Sequence, residues 1–394
     1  MIFLLANYCS TCYFTCKRLW GTMKKVLFFF ILVFFACNPL FARQLPQEHT
    51  GDISVSEFRT LPHFPPMNQD STLVCWSFAT TSFLESEMMR LGKPPVQLSV
   101  MYFVYYRLLE KCRSILTNHS PEHFSSGDLF TGVMDIVSTH GIVPASAYEG
   151  KKSSTTCYVH THLYEQIDSL LTDAIKNNEQ DTAKVLTQVE NILKRYLGAP
   201  PSHFNYEGNI YTPILFRDSV VGLPWNAYVA VTSFGYAPYF QFIELKVPDN
   251  WKHSARYFNA PIEFFLGAIR EAVVNGFTVV IDADITEPSY IETKQWCVVP
   301  NATRIDWKQK ASERDRMFAN GETTDDHLMH IVGYTQKNGN DWYLAKDSWH
   351  TAWEGPGKGY MMIHSSYIEY KSLAFYTHKN ALPSLWEFME SKKY

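Results

Sequence analysis

A cysteine that opens a long apolar run constrains this chain more than any other feature. In Gln69-Asp70-Ser71-Thr72-Leu73-Val74-Cys75-Trp76-Ser77-Phe78, Cys75 stands where apolar residues begin to recur at helical spacing. The pattern runs on to Leu91, and Gly92-Lys93-Pro94-Pro95 stops it. A thiol at a helix N-terminus sits at the positive end of the helix dipole. That position favours the thiolate, the form of cysteine that attacks carbonyl carbon. Gln69 lies upstream in a turn, and its amide can donate to the oxyanion that forms when a thiolate adds to a peptide bond. Fold and function hinge on what completes this half-site.

The chain has 394 residues, 46% of them hydrophobic, enough to bury a large core. A net charge of -4 gives no reason to expect nucleic acid as a partner. Met23-Lys24-Lys25 followed by the apolar run Val26 to Ala36 has the charged and apolar regions of a secretory signal, with Met23 as the expected true start. Leu40-Phe41-Ala42 offers a cleavage site, so residues 1–42 are assigned to the signal and 43–394 to one exported, periplasmic or secreted domain. The run is too short to span a bilayer, and no stable membrane span is expected after its removal. A competing reading takes Phe35-Ala36-Cys37 as a degenerate lipoprotein box that would anchor the chain through Cys37. Of eight cysteines, Cys75, Cys112, Cys157 and Cys297 follow the cut, too few for a disulfide scaffold. No clustered His/Glu ligand set appears, so neither metal nor cofactor is expected.

Along the chain, helices are expected from Cys75 to Leu91, from Val100 to Leu116 with Ser99 as cap, and up to His140 before Gly141. Leu163 to Leu197 reads as a charged helical hairpin. Phe240 to Val247 alternates like a strand, Pro261 to Asn275 reads as a helix, and Phe277 to Ala283 as a buried strand. Met329 to Tyr334, Trp342 to Lys346 and Gly359 to Ile363 read as short strands of a small antiparallel barrel or sheet. Helices first and strands last predict an α+β protein with a cleft where the two halves meet.

A cysteine nucleophile needs a base near its sulfur and a group that fixes the base's ring. His327, in Asp325-Asp326-His327-Leu328-Met329-His330, lies where a turn enters a strand, and Asp347 ends the next strand. Adjacent antiparallel strands would bring the two together, with Trp349 shielding their hydrogen bond from water. Asp326 reads as a turn residue and His330 as a strand-interior one.

Gln69, Cys75-Trp76, Asp326-His327 and Asp347-Ser348-Trp349, in that order, resemble the papain family of cysteine peptidases. The helix Leu98 to Leu116, the segment Gly127 to Pro144, Tyr196-Leu197-Gly198-Ala199-Pro200-Pro201, Tyr211-Thr212-Pro213 and Asn259-Ala260-Pro261-Ile262 to Gly276 are similar to its bleomycin hydrolase and aminopeptidase C branch. The resemblance covers roughly residues 55 to 385. It implies a two-lobed fold, a helical lobe against an antiparallel β-barrel lobe, with a helical insertion at about 150–275. Carried over residue by residue, it makes Cys75 the nucleophile, His327 the base, Asp347 the orienter and Gln69 the oxyanion donor. Gly127, Ser126, Val74 and Trp349 take the substrate-binding positions. It also implies a hexameric ring and a C-terminal tail that plugs the cleft and binds the free amine of the substrate.

The chain departs from that pattern in several places. Asp347 stands for the usual Asn and His350 for Gly. Leu73-Val74 replaces small or polar residues, only Gly127 remains of a glycine pair, and the tail runs on to Tyr394. The expected function is hydrolysis of peptides by a Cys-His-Asp thiolate mechanism, with an aminopeptidase favoured. An endopeptidase, a peptide-binding relic of the fold and a transglutaminase-like acyl transferase are the alternatives.

Overall fold

In the computed structural model, residues 53–118, 124–151, 157–299 and 306–391 are described. The expected signal region with Met23, Cys37 and Ala42 lies outside them.

Helix α1, Cys75–Arg90, is the axis of the structure: every residue from Cys75 to Met88 is buried. A helix with no solvent face must satisfy its polar side chains internally. Ser77 Oγ donates to the Val100 carbonyl at 2.8 Å, Glu85 accepts from the Leu98 N–H at 2.8 Å, and Glu87 pairs with Arg90 at 2.6 Å. Around it pack α2, Val100–Asn118, where Ser99 Oγ accepts from the Tyr102 N–H as expected of a cap, and α3, Phe130–His140. Gly141 ends α3 at φ 83, and a Cβ there would run into the backbone of Pro213. The expected hairpin is α4, Thr161–Lys176, and α5, Thr182–Leu197, with Asp181 capping α5 through the Lys184 N–H. Leu163, Ile167, Leu171, Val185, Val189 and Leu193 turn inward and merge with the same core.

Apart from a small two-stranded hairpin, Phe204–Tyr206 with Asn209–Tyr211, the described strands form one eleven-stranded sheet. In chain order they are β1 Arg59–Thr60, β2 Tyr228–Thr232, β3 Gln241–Ile243, β4 Tyr257–Asn259, β5 Val279–Ala283 and β6 Tyr290–Ile291. There follow β7 Trp296–Cys297, β8 His327–Lys337, β9 Asn340–Lys346, β10 Tyr360–His364 and β11 Ser372–His378. Their order in space is β3-β4-β2-β11-β5-β8-β9-β10-β7-β6, with β1 also on β8. The three strands read from the sequence, now β8, β9 and β10, are thus the middle of a larger sheet. The segment at about 150–275 supplies the α4–α5 hairpin and also β2, β3 and β4. The alternation expected over Phe240 to Val247 survives only as β3, since Asn250 accepts and donates locally to turn the chain at 245–254.

Both faces of the sheet are covered, and alternate residues choose sides: Val280 and Leu328 face the helical core, while Val279, Ile281, Met329 and Ile331 face a second core. That second core includes helix α6, Ile262–Val274, and α8, Ser365–Lys371. The charged helix α7, Trp307–Ala319, had no apolar periodicity to announce it. The C-terminal helix α9, Pro383–Ser391, packs on α6. Ser384 Oγ donates to Glu271 at 2.7 Å, Phe388 lies 4.5 Å from Phe264 ring to ring, and Leu385 is buried in the second core. Cys75 belongs to the core on the opposite face. The expectation that the tail plugs the cleft is therefore corrected for residues 383–391: their apolar side chains are already committed to the back of the sheet.

Candidate active site

The loop before α1 is held in an uncommon conformation. Asp70 and Leu73 have φ of 50 and 54, and for a branched side chain such as Leu73 the left-handed region costs about 1–2 kcal/mol. Three contacts hold it there: Tyr164 OH donates to the Thr72 carbonyl, Ser126 Oγ to the Leu73 carbonyl, and the Tyr158 N–H to Asp70 at 2.8 Å. The turn sends Leu73 outward, 52% exposed, and buries Val74 completely. Val74, expected to touch substrate, is thus a core residue, and Leu73 is the one at the surface. The first N–H groups of α1 have no helical acceptor, so the Cys75 N–H is a free donor beside its own sulfur.

His327 begins β8 and Asp347 follows β9. The antiparallel register, His330 opposite Lys346, brings them together: His327 Nε2 lies 2.8 Å from Asp347 Oδ1. Nδ1 is thereby left to face Cys75, whose sulfur also receives the Leu328 N–H at 3.4 Å. Burial alone would lower the His327 pKa, but the Asp347 carboxylate and the Cys75 sulfur raise it to about 10. The ring is an imidazolium at neutral pH, held so by the Asp347 carboxylate and the Cys75 sulfur it faces. Asp347 is saturated. Oδ1 also accepts the Trp349 N–H at 2.7 Å, and Oδ2 accepts from Tyr290 OH at 2.8 Å. Tyr290 was missed in the sequence because it sits in an irregular segment with no motif around it. Trp349 stands edge-on to His327, 6.3 Å between centroids, as the expected shield. Asp326 is the turn residue expected, accepting from Thr286 Oγ1 at 2.6 Å and Thr324 Oγ1 at 3.0 Å.

Gln69 is buried, its N–H donating to the Ser348 carbonyl at 2.8 Å. Its Oε1 has no donor, and among the described residues its Nε2 has no acceptor, so this buried amide is uncommitted. Ser126 accepts the Trp76 Nε1–H at its carbonyl, 3.0 Å away. Gly127 differs from expectation. Its carbonyl takes the Lys111 ammonium, its N–H donates to Ser125 Oγ at 3.2 Å, and the Asp249 carboxylate lies where a Cβ would be. The Gly127 backbone, expected to be open to substrate, thus has internal partners for both its N–H and its C=O.

Carboxylates that no motif marks in the sequence gather where the helices meet the sheet. Asp282 on β5 pairs in register with Leu328, Asp325 stands two residues before His327, and Asp249 comes from the turn after β3. The Asp249 N–H donates to Asp325 Oδ2 at 3.3 Å. Neighbouring Asp128 is spoken for by Arg107 at 2.5 Å and by Trp251 Nε1 at 2.8 Å. Burial, with repulsion among the acids, raises Asp249 to about 6, Asp325 to about 8 and Asp282 well above the usual carboxylate range.

With this geometry in place, the chain was compared with known proteins. Residues 300–377, which include His327 and Asp347, match the sequence profile of the papain family cysteine proteases. PepW from Lactobacillus rhamnosis HN001 superposes with a TM-score of 0.63 at 16% identity, over 84% of each chain. The chain has the papain-like C1 peptidase fold. SERA5E from Plasmodium falciparum (13% identity, 80% of this chain and 89% of that one, TM-score 0.38) and procathepsin L 3 from Tenebrio molitor larval midgut (14%, 84% and 72%, 0.36) are more distant in shape. No curated protein sequence matches significantly. The papain-like fold accounts for the helical lobe carrying Cys75 against a strand lobe carrying His327 and Asp347, the α+β architecture expected from the sequence.

Proposed function

We propose that this papain-like chain is an exported cysteine peptidase, and that it works from the amino end of peptides in the manner of bleomycin hydrolase. The observation that carries the peptidase reading is His327 held between Asp347 and Cys75, the first residue of α1. The Cys75 thiolate adds to the peptide carbonyl, and the oxyanion is held by the Cys75 N–H and Gln69 Nε2. His327 Nδ1–H gives its proton to the leaving amine as the C–N bond breaks, leaving a thioester on Cys75. His327 then takes a proton from water, whose oxygen attacks the thioester and releases the acid and the thiolate. Asp347 Oδ1 accepts from Nε2 throughout and fixes the orientation of the ring.

The amino-end mode is supported by the resemblance of segments such as Tyr196 to Pro201 and Asn259 to Gly276 to the bleomycin hydrolase branch. An endopeptidase is the second reading, favoured by α9 lying on the back of the sheet rather than in the cleft. Hydrolysis of free-amine and N-acetylated fluorogenic peptides by protein beginning at residue 43, beside a Cys75→Ala control, tests both. Loss of cleavage on acetylation is expected. Cleavage of internal bonds in blocked peptides selects the endopeptidase, and absence of any Cys75-dependent cleavage overturns the peptidase. Export is tested by sequencing the mature N-terminus from a cell fraction, expected at Arg43.

A further inference from the structure

The seam beside Cys75 holds more acid than the hydrolytic mechanism uses. Asp282 is completely buried, and neither of its oxygens meets a donor. Its neighbour Asp325 also has an oxygen, Oδ1, without a donor. Two carboxyl groups facing one another in a dry site repel unless a proton or a cation joins them. The resident cations serve only the outer part of this group. Arg107 is taken up by Asp128, Glu110 and Asp135, and Lys111, hydrogen-bonded to the carbonyls of Ser125 and Gly127, acts by its charge on Asp249 and Asp325 and leaves Asp282 at the inner end without a bonded cation. Asp249 and Asp325 are half-buried, so the group opens outward through them, whereas Asp282 closes its inner end. Cys75 is near enough for its charge to act on Asp282, and Leu328, in register with Asp282, donates its N–H to the sulfur.

We propose that Asp249, Asp282 and Asp325 form a receptor for a primary ammonium group of the substrate, set beside the nucleophile. The proposal rests on the peptidase reading and names what that site selects. An ammonium has three donors on a compact charge and so suits acceptors converging from β5, the turn before β8 and the turn after β3. In a substrate cleaved from its amino end, the cation nearest the scissile carbonyl is the α-ammonium of the first residue. A lysine side chain one residue further out carries the same chemistry. The receptor thus does with internal carboxylates what a tail plug would do with its terminus, in a chain whose described tail lies elsewhere.

Three coumarin amides separate the sources: alanyl, with only an α-ammonium; N-acetyl-lysyl-alanyl, with only a side-chain ammonium; and N-acetyl-alanyl-alanyl, with neither. At least one ammonium-bearing substrate should exceed the neutral one by roughly tenfold in kcat/KM, as a charge-assisted contact provides. Asp282→Asn and the half-exposed Asp249→Asn should each erase that preference through KM rather than kcat. Equal use of all three, or a preference that survives both substitutions, overturns the receptor and leaves the peptidase reading standing. If none is turned over, the peptidase reading fails and calorimetry decides the receptor. The corresponding peptide amides are titrated onto Cys75→Ala and onto Cys75→Ala carrying Asp249→Asn. Ammonium-dependent binding lost with the second substitution supports it, and indifference to the ammonium overturns it.

Discussion

His327 and His330 sit on the same strand, three residues apart, both buried, and they hold opposite charge states. His327 meets the Asp347 carboxylate and the Cys75 sulfur and is raised to about 10. His330 meets Ser82 Oγ at 2.8 Å, and Lys346 donates to that same oxygen at 2.5 Å. Burial first, and then the charge of Lys346, lower the His330 pKa well below 6.5, so that ring is neutral. Burial is common to both, so it cannot be what makes one of them an acid catalyst. The difference is the sign of the adjacent charge, and the strand register places Asp347 and Lys346, consecutive residues, against two different histidines. Their places in the strand, His327 at its start and His330 in its interior, already separate the two in the sequence.

The strongest way to break the comparison is to remove the anion from the His327 side. Cys75→Ala should abolish hydrolysis, a loss of about a thousandfold or more measured as kcat, and Asp347→Ala should cost about a hundredfold or more because it strands a buried imidazolium. Asp347→Asn should cost far less: its carbonyl oxygen can still accept from His327 Nε2, and its amide can donate to Tyr290. If Asn proves as damaging as Ala, the carboxylate's charge rather than its position carries the effect.

Alkylation reads the same contrast from the sulfur. Burial pushes Cys112 up to about 12 and Cys297 well above the ordinary thiol range, so both are protonated at neutral pH. Cys75, facing an imidazolium, should be labelled by iodoacetamide first at mildly acid pH, as peptide mapping would show. With His327 raised, its proton is lost only as pH approaches about 10, so peptidase activity should show its alkaline decline there rather than near 6.5. Uniform labelling of the three cysteines would contradict the ion pair.

On the His330 side, Lys346→Met should raise the His330 pKa toward its ordinary value, followed by NMR titration. Removing the lysine also takes away the charge that holds Glu85 down, so Glu85, already raised to about 7 by burial, should rise further. Breaking this buried pair should cost about 3 kcal/mol in urea unfolding, with a smaller effect on kcat than Asp347→Ala. The smallest effect is expected at Leu73→Gly, a gain of up to about 1 kcal/mol as left-handed strain is relieved against the added freedom of glycine.

The nucleophile, base and orienter were legible because each sits at the edge of a locally periodic element: Cys75 where a helix begins, His327 where a strand begins, Asp347 where the next one ends. Hydrophobic periodicity announces such edges. The acidic receptor was not legible, because Asp249, Asp282 and Asp325 come from three segments joined only by the fold, and each alone reads as a turn or strand residue. Gly127 misled for a related reason, since the residues packed against it, Lys111 and Asp249, lie on either side of it in the chain and far from it. Val74 misled because one left-handed residue, Leu73, exchanges which of two neighbours faces out, and an apolar residue with positive φ has no compositional mark. α9 carried an echo of a familiar tail, yet Phe388 found Phe264 on α6 and Trp386 found Phe258 on β4.

The burial of α1 along nearly its whole length reaches beyond catalysis. Amides in such an element exchange with solvent only when the whole domain opens, because no partial loosening of loops frees them. Cys75 heads that helix, so its reactivity under denaturant should fall in step with the globally folded fraction, with no earlier stage. The thiol is therefore an internal gauge of whether the chain is folded at all, readable without reference to any substrate.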